Sequence, residues 1–569
     1  MTEYRNGNMP RDGESDMPQD AHEHAMWDAA YVLGALSDPD RREFEAHMAG
    51  CISCREAVNE LTAVSPLLSL LDYDQVIGAD ATDESAAVPP CPDLLTSLLA
   101  KADQRSAVTS DSVELQPVLM TATTVDAQTV FPVFRTGNYA PVHDELTDFD
   151  LQVEGSIPAE LNGWYLRNGP NPRSGAGHWC VGDGMVHGIR LENGRAAWYR
   201  NRWVRTESFE HPVPLYNDDG SRNLHSSIAN THVVRHAGKT LALMEFSLPY
   251  EISNDLKTLG AYDFGGKLTD SMTAHPKICP TTGEMHFFGS GNIFEPHVSY
   301  HRADANGRLT VNRPIDVPAL TLMHDFALTA DHVVFMDLPL LFNLGVAIKQ
   351  QFERDLPYRW DNQHRARLGV LRRDDPYGRL RWFDIDPCFV FHVANAYDVT
   401  SASGDSIVLE VLRYPEMWRD SSEFGDDATL WRWTINLATG VVEECQLDDR
   451  GVEFPRVDDR LAGVAARYSV AVGSGALVRY DLQRDTATEH RFGGGGHGEP
   501  SAPGEAVFAP AVGQSDELAG WYLTYVYDPA TDGSDLVVID ASDFEGDPVA
   551  RIRLPRRVPH GFHGNWIPD

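Results

Sequence analysis

The sequence predicts a mainly β protein, a closed ring of β-blades, with a small all-α module in front of it. Three observations predict it. From Phe131 onward, short apolar runs are separated by turn chemistry such as Asn193-Gly, Asn306-Gly and Pro376-Tyr-Gly, the pattern of successive hairpins. Four histidines in specific local settings, His275, His324, His392 and His563, lie 49, 68 and 171 residues apart, so no one helix or hairpin holds them together. Only a closed, repeating architecture would. Before residue 131 the periodicity is different, with apolar residues at three- and four-residue spacing.

At 569 residues the chain exceeds one ordinary core of about 100–200 residues, so it holds several domains or one large closed sheet structure. The formal net charge of −37 argues against a nucleic-acid partner, whose phosphates need a basic surface, and against simple electrostatic docking to anionic lipid. It reads as an acidic, solvated surface. Seven cysteines, an odd number scattered along a long chain, do not read as a disulfide framework and point to a reducing compartment. The N-terminal residues have no apolar h-region, and no uninterrupted apolar run reaches the ~18 residues of a membrane span, so a cytoplasmic protein is expected.

Taken in order, residues 1–21 are polar, with Pro, Gly and Asp, and are expected to be disordered. A first helix follows over Ala25–Leu36. Ser37-Asp-Pro-Asp then supplies an N-cap with Pro in the first turn, so a second helix is expected from about Pro39 to Ala49, stopping at Gly50. Directly there stands His47-x3-Cys51-x2-Cys54, an imidazole in the last turn and two thiols on the next one. That spacing can converge on one tetrahedral zinc ion, with His22 or His24 upstream to complete the shell. Residues 22–75 therefore read as a helical zinc-binding domain. Residues 76–130 read as a linker: Asp- and Ala-rich at its start, a short amphipathic helix around Pro92–Gln104, then Ser/Thr/Val-rich coil.

Residues 131–569 read as the β domain. Six hairpins have their tips at Asn193-Gly, Asn306-Gly, Pro376-Tyr-Gly, Thr439-Gly, Arg484-Asp and Glu545-Gly-Asp. A weaker one near Tyr262-Asp-Phe-Gly-Gly266 is taken as the missing member. Seven tips at intervals of about 59 residues fit four strands plus loops per blade, the period of a seven-bladed β-propeller. An irregular array of β-sandwiches would read similarly. The propeller is preferred because its axis is where four distant segments meet.

The local settings of the histidines are Ala-His275-Pro-Lys, Met-His324-Asp-Phe, Phe-His392-Val-Ala and Gly-Phe-His563-Gly. Four neutral imidazoles suit Fe, Zn, Cu or Ni. These stretches, with Arg167-Asn-Gly-Pro-Asn-Pro172 and Gly182-Asp-Gly-Met-Val-His-Gly188, resemble the carotenoid cleavage oxygenase family over roughly residues 131–569. The resemblance implies a seven-bladed propeller with a helical and loop cap. It implies Fe(II) on the axis held by those four histidines, and a dioxygenase that cleaves a C=C bond of an apolar polyene with O2 to give carbonyl products. A metal-bound histidine donates its other N–H to a carboxylate or carbonyl. By resemblance Glu245, Glu453 and Glu505 support His324, His392 and His563, leaving His275 without a carboxylate. The remaining motif histidines, His178, His187 and His560, read as packing groups, and Asp183 with its flanking glycines reads as turn chemistry.

Residues 22–105 resemble the zinc-binding anti-sigma domain of bacterial regulators. That resemblance implies His24, His47, Cys51 and Cys54 as zinc ligands, with His22 the competitor for the first place, and a sigma factor as partner. Leu338–Ile348 is a nearly unbroken apolar stretch. It reads either as a buried helix or strand or as the mouth of an apolar tunnel that touches a membrane transiently to take up substrate. Two alternatives remain beside the polyene-cleaving oxygenase. One is a stilbene-cleaving relative, for which a lysine is expected beside the first supporting glutamate, where this chain has Met244. The other is a regulator whose propeller senses a ligand without turnover.

Overall fold

Each of the six stronger hairpins joins two adjacent strands of one blade in a computed structural model of the chain, which describes residues 38–48 and 136–569 apart from 174–177, 218–220, 349–355, 402–403, 426 and 494–499. The chain divides into two units, Met1–Thr124 and Val125–Asp569, a boundary inside the stretch read as linker.

In the first unit the described element is the helix Asp38–Met48. Phe44 is fully buried and stacks on His47 with ring centroids 6.3 Å apart. Pro39 sits in the first turn, where its missing N–H costs nothing. His22, His24, Cys51 and Cys54 lie outside the described residues, as do the helix expected over residues 25–36 and the short one near 92–104.

The second unit is a seven-bladed propeller with few helices. Blade 1 runs outward from Gly564–Pro568 through Gly163–Pro170 and Gly184–Glu192 to Arg195–Trp203 and Leu146–Asp148. The last strand of the chain is thus the innermost strand of the first blade, in antiparallel register with Gly564 opposite Arg167. Blades 2 to 6 are four-stranded and open at the axis with His232–His236, Lys277–Ile278, Ala327–Leu328, Phe389–Ser401 and Glu453–Arg456. Blade 7 spans Ala502–Arg553 and takes Val153–Gly155 as its edge.

Each blade is buried on both faces because its neighbours pack against it, so the middle strands are apolar throughout: Leu536, Val537, Val538 and Ile539 are all fully buried. Outer strands alternate, as in Leu309–Ile315, where only Val311 and Ile315 are buried. The apolar clusters close the ring pair by pair. Leu166 and Ile189 of blade 1 meet Val233 of blade 2 on one side and Leu536 of blade 7 on the other through Val186 and Tyr165. Met285 of blade 3 packs on Leu241 of blade 2, Phe288 on Phe335 of blade 4, and Val470 of blade 6 on Val537 of blade 7. Blades 4, 5 and 6 share one continuous cluster around Trp433.

The seventh expected hairpin tip is corrected. Blade 2 turns between Tyr250–Ile252 and Thr258–Ala261, at Ser253–Lys257, and not at Tyr262–Gly266. Phe264, Gly265 and Gly266 do have positive φ, which is why the stretch reads as a turn, but it lies after the outermost strand on the way to blade 3. The tip itself is held by Leu256, a buried non-glycine residue at φ 62, a conformation that composition does not signal. The cap over one end of the ring is built from loops, the helices Glu207–Glu210 and Leu344–Ile348, and a two-stranded ribbon of Leu340–Phe342 with Tyr358–Trp360.

Candidate metal centre and substrate cavity

The seven inner strands and the loops that adjoin them carry seven polar side chains near the axis: His563, His232, His275, His324, His392, Glu453 and Glu505. Four of the histidines form a cluster. Ring centroids of His275 lie 4.5, 5.0 and 4.6 Å from those of His324, His392 and His563, and His392 lies 4.8 Å from His563. The Nε2 atoms of His275 and His324 are 3.0 Å apart, and those of His392 and His563 are 3.2 Å apart. The ligand atoms of His275, His324 and His392 all lie within 4.8 Å of one another.

The carboxylates decide what those Nε2 atoms are. His392 Nδ1 donates to Glu453 Oε2 at 2.5 Å, and His563 Nδ1 donates to Glu505 Oε1 at 2.9 Å. With the ring proton on Nδ1, each Nε2 presents a lone pair, and the two lone pairs face each other. Such an arrangement is repulsive unless a cation lies between them, so the residues present fit a metal ion. Glu245 Oε1 stands 3.1 Å from His324 Nδ1 without hydrogen-bond alignment to it, and 3.9 Å from His275 Nε2. Burial pushes Glu245 up to about 7. Burial, with the neighbouring imidazoles adding to it, holds His275, His324 and His563 well below the ordinary histidine range, so they are neutral and able to ligate. In His392 burial acts downward, but Glu453 outweighs it and the net shift is upward.

The first upstream motif acts as a clamp on the last histidine of the cluster. Asn168 N donates to His563 O at 3.0 Å, Phe562 N donates to Asn168 O at 3.1 Å, and Asn168 Nδ2 donates to Ala229 O and His232 O. A Cβ on Gly169 would lie 2.7 Å from the Cα of Gly561, so this crossing needs glycine on the motif strand. His187 bonds Tyr199 Oη at 2.8 Å and His178 bonds Ser422 O at 3.1 Å. Asp183 pairs with Arg173 at 3.0 Å. His560 packs between Trp179 and Tyr139 and also forms part of a cavity wall.

The cluster stands between two cavities, both lined by His392 and His563. One, of about 1040 Å³, also has His324 in its wall and is rich in aromatic side chains, among them Phe391, Phe454, Phe562 and Trp418. The other, of about 300 Å³, has the polar side chains of His275, His232, Lys277, Asp325 and Arg456 in its wall. The apolar stretch 338–348 divides between its two readings. Leu338 and Leu340 are buried in the core, while Phe342 lines the larger cavity. Among the described residues no helix is long and apolar enough to cross a membrane. Cys180, Cys279, Cys388 and Cys445 are free thiols.

With this geometry in place, the relatives are informative. A family model described as retinal pigment epithelial membrane protein matches residues 139–568. Over 489 residues the chain is 36% identical to a carotenoid cleavage oxygenase of Mycobacterium tuberculosis, spanning 76% of this chain and 97% of that protein. The protein is a member of the carotenoid cleavage oxygenase family. Carotenoid 9,10(9',10')-cleavage dioxygenase 1 of Arabidopsis thaliana is 33% identical, spanning 77% of this chain and 90% of its own. The structure of Pseudomonas brassicacearum lignostilbene dioxygenase superposes with a TM-score of 0.68 at 26% identity, over 77% of this chain and 98% of that one. A zinc-finger model matches residues 29–55, a range that contains His47, Cys51 and Cys54 but neither His22 nor His24.

Several residues of this oxygenase's centre are not evident from the sequence. His232 lies with its ring 5.1 Å from that of His563, but Ala274 O at 2.8 Å and Asn565 Nδ2 at 3.4 Å engage its two nitrogens. Burial lowers it to about 3. Its signal was available, since Thr-His-Val-Val opens an apolar strand much as the four ligand segments do. Asp325 accepts from Val393 N at 2.9 Å and Lys277 Nζ at 3.0 Å, tying three of the histidine segments together, and Arg456 pairs with Glu505 at 3.2 Å. Tyr414 donates its hydroxyl to Glu453 Oε1 at 3.0 Å from the cavity side. These contacts join residues far apart in the chain and carry no local signature.

Proposed function

We propose that this oxygenase is a non-haem Fe(II) dioxygenase that cleaves a C=C bond of a carotenoid or apocarotenoid with O2, giving carbonyl products, and that His275, His324, His392 and His563 are its iron ligands. The observation that carries the reading is the pairwise opposition of four Nε2 atoms at the wall of a large aromatic cavity. Bound iron would supply O2 activation. The protein's own part is positional: Glu453 and Glu505 hold the ring protons of His392 and His563 on Nδ1, leaving Nε2 free to ligate. Phe391, Phe454 and Phe562 give the alkene a flat, water-excluding wall beside the cluster. A cavity of about 1040 Å³ is at the upper end of the usual range for small-molecule sites, as an elongated polyene requires.

The structural similarity to a lignostilbene dioxygenase supports a second reading, a stilbene-type substrate. Against it, Met244 stands in the cavity wall beside Glu245 and offers a thioether where a phenol would call for a cation. The deciding experiment is oxygen uptake by anaerobically iron-loaded protein. Uptake with an apocarotenal and formation of two carbonyl products is the expected result. Uptake with a hydroxystilbene alone would turn the reading to the stilbene class, and uptake with neither would overturn it.

We further infer that the N-terminal module binds zinc through His47, Cys51, Cys54 and His24 or His22, with a sigma factor as its partner. The zinc-finger match over residues 29–55 supports the metal. Co-purification of a sigma factor with the full chain, lost in a Cys51→Ser variant, is expected. Retention in that variant would separate the partner from the metal.

A further inference from the structure

One cation in the larger cavity is unaccounted for. Arg222 is 7% exposed and forms part of the wall that also contains His324 and His392. Its Nε donates to Phe246 O at 2.7 Å, Nη1 to Leu215 O at 3.0 Å and Nη2 to Ser226 O at 3.4 Å. Backbone carbonyls thereby engage three of its five N–H groups, and the Tyr216 side chain is a further hydrogen-bond partner. The other buried arginines have acidic company: Arg373 pairs with Glu284 at 3.4 Å, Arg557 with Asp532 at 3.0 Å, and Arg167 lies in the field of Glu505. Around Arg222, among the described residues, the interacting groups are the phenols of Tyr216 and Tyr358, with the Tyr216 ring centroid 5.5 Å from its Cζ. Burial holds the guanidinium below its ordinary pKa, and no carboxylate among the described residues acts against it.

A buried charge with no carboxylate beside it among the described residues is costly, and a chain that keeps one in a cavity wall gains most from it when an anion arrives with the ligand. Three carbonyls fix the orientation of the guanidinium, and its remaining N–H capacity, next to the Tyr216 side chain, suits a carboxylate. Tyr216 and Tyr358 line the same cavity and carry hydroxyls suited to the same oxygens. We propose that Arg222, with Tyr216 and Tyr358, is the docking point for a carboxylate at one end of the substrate, so that the enzyme takes an acid-terminated polyene in preference to a hydrocarbon carotene. The proposal rests on the larger cavity being the substrate site of the oxygenase.

The test is equilibrium binding to the iron-loaded full chain of a twenty-carbon polyene carboxylate, its methyl ester and its alcohol. The acid should bind about 10–100-fold more tightly than the ester or the alcohol, the margin of a charge-assisted contact. Arg222→Gln should erase that margin while leaving ester and alcohol affinities in place, and Arg222→Lys should keep only part of it. Equal binding of the three ligands by the wild type overturns the proposal, as does a margin that survives in Arg222→Gln. Should that variant not fold, an undiminished margin in Arg222→Lys overturns it equally. Oxygen uptake is read in parallel. Acid-selective binding without turnover of any of the three would sink the dioxygenase reading and leave the carboxylate site standing; equal turnover and binding of all three would do the reverse.

Discussion

His392 Nδ1 lies 2.5 Å from Glu453 Oε2, and these two residues, 61 positions apart, join the inner strands of adjacent blades. Glu453 is itself held by the Tyr414 hydroxyl and by Phe454 N, so a chain of hydrogen bonds runs from the cavity wall to a candidate iron ligand. Glu453→Gln should lower iron affinity or turnover by about 10–100-fold, the usual size of losing such support. Iron titration and oxygen uptake measure it, and wild-type values for both would make Glu453 a bystander.

Removing a ligand should act on the metal and spare the fold. His324 sits at the end of a loop before a two-residue strand, and the packing of blades 3 and 4 runs through Phe288, Phe326 and Phe335 instead. His324→Ala is expected to abolish iron loading while circular dichroism and the melting temperature stay close to wild type. Normal iron content by metal analysis would remove His324 from the site.

The clamp between the first blade and the last ligand makes a sharper prediction. Gly169→Ala puts a methyl group 2.7 Å from the Gly561 Cα, two residues before His563, and backbone cannot yield as a flexible side chain would. A cost of about 1–3 kcal/mol is expected from such overpacking, together with reduced iron occupancy. Unchanged unfolding and unchanged iron would mean that the two strands are free to separate.

Asp398 tests the ring at its blade 4 to blade 5 joint. Its carboxylate accepts from His332 Nδ1 at 2.7 Å and from Asp331 N at 2.9 Å. Burial pushes its pKa up, but these donors outweigh it and hold it below the ordinary value. A carboxylate with a depressed folded pKa stabilises the fold above its unfolded value of about 3.9, and that contribution is lost as pH falls through the folded pKa. Asp398→Asn should therefore melt below wild type at neutral pH, with the gap closing in the acid range. A gap that is constant from pH 7 to the acid limit would show that the charge of Asp398 contributes nothing.

The join between the two units is open to truncation. Deleting residues 1–124, the first unit, is expected to leave a soluble, iron-loaded and active oxygenase, and to remove zinc. The full chain should hold one zinc and one iron, the truncated chain one iron. In the full chain a chelator should unfold the first unit before the propeller, because a module of that size has little core and relies on its metal. Zinc retained after truncation, or iron lost by it, would overturn the two-module reading.

Much of the propeller was legible because turn chemistry is local: Asn193-Gly and Asn306-Gly bend the chain whatever surrounds them, and each such tip marks one blade. The four histidine settings were legible for the same reason, each opening or closing an apolar inner strand. The tip at Ser253–Lys257 was not, since Leu256 adopts positive φ only because the surrounding packing overrides its preference. Nor did sequence alone decide which nitrogens face one another, that His232 has both of its own engaged, or that Arg222 is buried without an acidic neighbour among the described residues. Those facts depend on which strands the ring brings side by side, and pairing across hundreds of residues is set by the summed packing of seven blade interfaces, which no short stretch encodes.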